Sequence, residues 1–170
     1  MPDRGLALDE GRPRTASLLS HDDGLAVGEI ESVCVAVWRG AVTRGRFEAQ
    51  RRGLEWVVGR HPEGVGFLCV VERDSPLPDQ DLRRASANMI AIHRPHLRYV
   101  ACVMEGDSMR VAVVRAVLTG MRLRVTGKVA SGFFATVPEA AHHLAEHLPI
   151  GSETSFASAA ETVRASLGSR

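Results

Sequence analysis

The chain has 170 residues, of which 45% are hydrophobic and 24% charged, with a formal net charge of +1. That length suits one domain plus tails, with a core large enough to need no staples. A charge so near zero argues against a general polyanion binder, which normally carries a clear basic excess, so no nucleic-acid partner is expected. Arginine supplies nearly all the positive charge, Lys128 being the only lysine; we read this as the codon bias of a GC-rich bacterial genome. Cys34, Cys69 and Cys102 each sit in an apolar run, "VCVAV", "FLCVV" and "ACVM". Their odd number and the absence of C-x-x-C argue against a disulfide frame or a zinc site. Free core thiols in a reducing cytoplasm are the expectation. With no apolar run of membrane-spanning length and no signal-type segment in "MPDRGLALDEGRPR", neither membrane insertion nor export is expected.

Residues 1–24, rich in Gly, Pro, Arg and Asp, read as a flexible lead with an edge strand at "ASLLS". "LAVGEI" and "VCVAVWRG", separated by Glu31 and Ser32, predict a β-hairpin. Thr43 is placed to cap a helix over 44–60 whose inner face carries Phe47, Gln50, Leu54, Val57 and Val58. "VGFLCVVE" is the continuous apolar run of a strand buried on both faces. A helix over 79–93 follows, with Leu82, Met89, Ile90 and Ile92 inward, ended by Pro95. "RYVACVME" is the next buried strand and 108–120 the next helix, stopped by Gly120. "GFFAT" predicts a short strand, and "TVPEAAHHLAEHL" a closing helix with a Thr136/Glu139 capping box. The tail 149–170 offers only Phe156, Val163 and Leu167 as anchors, which predicts a mobile segment of weak helicity. The resulting order, β-β-α-β-α-β-α-β-α, predicts an α/β domain over 25–148 with a mostly parallel mixed sheet flanked by helices.

Several local phrases within 25–148 carry a likeness. "VWRGAVTRGRFEAQ", "GVGFLCVVE", "YVACVMEGDS" and "FFATVPEAAHHL" resemble the strand–Gly–helix opening, central strand, Gly-Asp strand end and closing strand–cap–helix of the STAS-like, anti-sigma-factor-antagonist family, in its divergent bacterial branch. The resemblance implies a STAS-like α/β sheet and a role in regulation by protein–protein contact rather than chemistry. Kinase-switched members of that family carry an Asp-Ser-Ser-Gly type motif. Here the matching region is "ERDSPLPDQDL": Asp74 and Ser75 are present, while the second Ser and the Gly are replaced.

Candidate sites are few. Gly106, Asp107 and Ser108 join a strand to a helix, where a phosphoserine or anion would meet unpaired N–H groups; a plain helix cap by Asp107 or Ser108 is the simpler reading. Ser75 is the other candidate phosphosite. The predicted helix 108–120 is apolar over an arc about twice the roughly 100° that one sheet face requires. Met109, Val113 and Val117 therefore form a candidate interface. "HLAEH", residues 143–147, matches the H-x-x-E-H string of some zinc hydrolases. A third ligand would have to come from Glu153 or Glu161 in the tail, and the helix already turns Ala140, Ala141, Leu144 and Leu148 inward, so no metal and no cofactor are expected. No catalytic residue is assigned. The expectation is a non-enzymatic cytoplasmic regulatory or scaffold module that binds a protein partner or a second copy of itself as a homodimer. A small-molecule or lipid-binding domain is the alternative, and a metal-dependent hydrolase on the "HLAEH" helix the remoter one.

Overall fold

A computed structural model describes residues 15–106 and 129–168. One six-stranded sheet runs in sequence order: β1 (Ser17–His21), β2 (Leu25–Ile30), β3 (Val33–Trp38), β4 (Val65–Val71), β5 (Leu97–Met104) and β6 (Ala130–Phe134). The first two pairings are antiparallel and the next three parallel. Four described helices flank the sheet: α1 (Arg44–Arg60), α2 (Gln80–His93), α3 (Val137–Ala145) and α4 (Glu153–Ala165). This is the α/β class that the alternation of apolar runs implies.

The hairpin turns where the sequence indicates. Ile30 pairs with Val33, leaving Glu31 and Ser32 as a two-residue loop with Glu31 at φ 54°, the left-handed conformation that such a turn demands. Side chains then alternate along β3: Val33, Val35 and Val37 join one apolar cluster, and Cys34, Ala36 and Trp38 the other, as a period of two requires. The second cluster includes Phe47, Leu54 and Val57 of α1 and Met89 and Ile90 of α2. These two helices thus share a face, as successive crossovers of one hand in one direction must. The first cluster takes in α3 and α4.

Helix ends follow side-chain capping. Thr43 accepts from the Arg46 N–H, Asp79 from the Leu82 N–H and Thr136 from the Glu139 N–H. Glu139 reaches back to accept from the Ala135 N–H at 3.1 Å, so the expected box bonds one residue further out. In α2 the burial of Met89 and Ile90 fixes the inner face, and Ile92, two positions and about 200° on, points outward at 71% exposure. The inward expectation for Ile92 is thereby corrected.

The described segments on either side of 25–148 belong to the fold. β1 pairs antiparallel with β2 as an edge strand, with a register shift between Leu18 and Ser20. The segment expected to be a mobile tail forms α4, which buries Phe156, Ala159, Ala160 and Val163 in the core, with Leu167 buried just past its end. Close approach is made possible by Gly28: a Cβ there would lie 2.7 Å from Val163 Cγ2. The folded unit extends past 148 because two alanines, weak signals of burial in a sequence, complete the stripe that Phe156, Val163 and Leu167 begin.

If α4 is part of the core, Phe156→Ala should destabilise the protein by about 3–5 kcal/mol in urea unfolding followed by circular dichroism. A mobile tail would give a change near zero.

Candidate functional site

Register aligns charges at the carboxyl ends of the parallel strands. Trp38 pairs with Val71 and Val71 with Met104, so the next residues, Arg39, Glu72 and Glu105, form a row across three strand ends. Arg39 grips Glu72 through two nitrogens, Nε to Oε2 at 2.8 Å and Nη2 to Oε1 at 3.1 Å, and Nη1 donates to the Gly168 carbonyl at 2.9 Å. Arg164 reaches the row from α4, donating from Nη2 to Glu105 Oε1 at 2.6 Å and lying 3.9 Å from Glu72 Oε1. Glu161 pairs with the same guanidinium at 3.1 Å.

Arg39, Glu72, Glu105 and Arg164, with Arg73 and Asp74, line an open cavity of about 480 Å³. The Glu72 hydrogen bonds hold the Arg39 guanidinium above its ordinary pKa. For Arg164 burial works against the charge, and Glu105, Glu161 and Glu72 outweigh it, again raising the pKa. Positive and negative groups are thus committed to one another, and the network ties α4 to three strand ends.

Ser75 follows this row. It is 3% exposed, and its hydroxyl donates to the Trp38 carbonyl at 2.7 Å, the oxygen that also accepts from the Glu72 N–H at 2.9 Å. The structure therefore places Ser75 as an internal brace of the β4–α2 turn, a position poorly suited to a kinase substrate. Gly106 leaves β5 at φ 138°, a conformation that favours glycine. Asp107, Ser108, Met109, Val113 and Val117 lie outside the described residues.

The histidines on α3 and just after it are held by neighbours. His143 Nδ1 lies 3.1 Å from Glu146 Oε2 and its ring stacks on Phe134 at 4.9 Å. His147 Nδ1 is 3.0 Å from the His143 carbonyl, with its ring 4.4 Å from that of Tyr99. His142 pairs with Glu153 at 3.1 Å. Among the described residues no group of three or more His, Cys, Asp or Glu side chains is arranged to hold a metal. The "HLAEH" spacing here serves packing against β5 and β6.

Two further polar clusters escaped the sequence reading. Trp38 Nε1 donates to Gln50 Oε1 at 2.7 Å, and Gln50 Nε2 lies 3.9 Å from Met89 Sδ, linking β3, α1 and α2. Glu29, 8% exposed, meets His61 Nε2 at 3.0 Å and Arg60 Nε at 3.1 Å. Trp56 is 55% exposed beneath the Arg60 guanidinium. The strand-end row had a legible signal, a charged residue directly after each of three apolar runs; its pairing had none.

Comparison with protein-family models, with curated proteins and with solved structures finds no match. The strand-end geometry must speak for itself. In open α/β sheets ligands usually bind where the strand order reverses and helices on opposite faces part. Here the described strands run in unbroken order from β1 to β6, with α1 and α2 on one face, so the open cavity at the carboxyl ends of β3 to β5 does not lie at a reversal of strand order.

Since His143 and His147 act through ring packing, replacing both by Ala should cost about 1 kcal/mol of stability. Zinc content, measured by atomic absorption on untagged protein, should be unaffected.

Proposed function

We propose that this chain is a non-enzymatic regulatory or scaffold module of the cytoplasm, STAS-like in layout, that acts by binding a protein partner or a second copy of itself. The observation that carries the reading is the mutual commitment of the strand-end charges. Arg39 spends both donor edges on Glu72 and Gly168, and Arg164 lies between Glu105 and Glu72. A group that transfers protons or attacks a substrate needs a pKa tuned to that task and an open coordination position. This row serves instead to hold the C-terminal helix. The cavity beside it is lined by ionisable side chains, a poor setting for a lipid chain, which supports the interaction module over lipid carriage. No helix among the described residues is long and apolar enough to cross a membrane.

The test is chemical crosslinking in the host cell followed by mass spectrometry, joined to sedimentation velocity over a wide range of concentration. The expected outcome is one stoichiometric crosslinked protein, or reversible self-association. A chain that sediments as a monomer throughout and crosslinks to nothing reproducible would defeat the proposal.

A further inference from the structure

β2 pairs along one side of β1, and among the described residues no strand lies along the other. Such an edge presents a row of backbone N–H and C=O groups that a further strand can take up, and natural edges are commonly blunted by charge, proline or a bulge. β1 reads Ser17-Leu18-Leu19-Ser20-His21 and contains no Asp, Glu, Lys, Arg or Pro. Its register shift between Leu18 and Ser20 is the one such device it has. Leu18 is 44% exposed.

α1 extends this surface above the strand. A Cβ on Gly53 would lie 3.8 Å from Leu19 Cδ1, so that turn of the helix rests over β1. Trp56 and Arg60 follow Gly53 by three and seven residues, on the same stripe of the helix. The exposed Trp56 ring lies 5.9 Å from the Arg60 guanidinium. An open strand edge flanked by exposed apolar side chains is the surface that strand addition uses.

The charges decide the occupant. Arg60 pairs with Glu29, whose register partner is Ser17, so its half-exposed side chain stands at the first residue of β1. Asp22 and Asp23 lie just past the last residue, where the two carboxylates share the Arg46 guanidinium. An antiparallel copy of β1 reverses these ends and brings the acidic end of each chain towards Arg60 of the other. Such a two-fold contact uses the same patch on both chains and closes at two.

We propose that two copies of this chain join antiparallel through β1, continuing one sheet into the other, with Trp56 of each copy over the seam. The proposal rests on the self-binding arm of the reading above. An edge of five residues makes the dimer a weak and reversible one.

Sedimentation velocity of the full chain over a wide range of concentration, joined to amide hydrogen exchange at both extremes, tests the contact. Wild type should pass reversibly from monomer to dimer, and the amides of Ser17 to His21 should slow as the dimer forms. Leu18→Lys, Trp56→Glu and Asp23→Arg, all at exposed positions, should each weaken the dimer by about tenfold or more. Ile92→Lys, at an exposed position on α2, should leave it unchanged. The wild-type exchange reads the contact whether or not a variant folds. A wild type that stays monomeric, or a dimer whose β1 amides exchange alike at every concentration and whose three edge variants associate normally, would overturn the proposal. Crosslinking in the host separates this failure from that of the broader reading, since a stoichiometric crosslink to a different protein would leave the module standing while the β1 dimer falls.

Discussion

β2 and β3 are buried at every position, so both faces of that hairpin must be covered by helix, and the rest of the architecture answers to this demand. On one face the cover is α1, which lies against Val27 so closely that a Cβ on Gly53 would approach Val27 Cγ1 to 2.5 Å. On the other it is α4, at the far end of the chain. Without α4 the inward side chains of Ala26, Ile30, Val35 and Val37 would lose their cover. Large apolar side chains are worth roughly 1.5–3 kcal/mol each when fully buried, so an open face of that size would be a substantial loss for a marginally stable domain.

The charges at the strand ends complete this arrangement. Burial of Phe156, Val163 and Leu167 holds α4 on the sheet without specifying its position along the strands. The grip of Arg39 on Glu72 and the reach of Arg164 to Glu105 add direction, because paired guanidinium and carboxylate groups have strict geometry. Partly exposed pairs contribute modestly to stability, so we assign the network chiefly to positioning. This division, apolar area for strength and ion pairs for register, leaves the strand ends electrically balanced. It is also why the proposed role rests on surfaces that meet other proteins rather than on a reacting group.

Much of the fold was legible because its signals are local. The hairpin at Glu31 and Ser32, the Thr43 cap, the stop before Pro95 and the Thr136 cap each depend on neighbours within a few residues. Three things were not legible, for three different reasons. α4 was underestimated because Ala159 and Ala160 carry little hydrophobic weight, although small side chains are what a helix pressed against Gly28 requires. The ion row was hidden by distance, since Arg39 and Glu72 are 33 residues apart and Arg164 and Glu105 are 59 apart. Ser75 looked like an accessible hydroxyl in a polar turn, and only the tertiary structure reveals the Trp38 carbonyl that accepts its hydrogen bond. For the candidate site, its charged residues could be read from the strand ends, but not their partners.

Whether α4 is an integral layer of the domain is measured directly by amide hydrogen exchange on the intact chain. Amides of Phe156 to Val163 should exchange as slowly as those of β2 and β3, because all three would open only when the whole domain unfolds. Exchange of the α4 amides within seconds, with the strands still protected, would show the helix to be a detachable appendage and contradict the account.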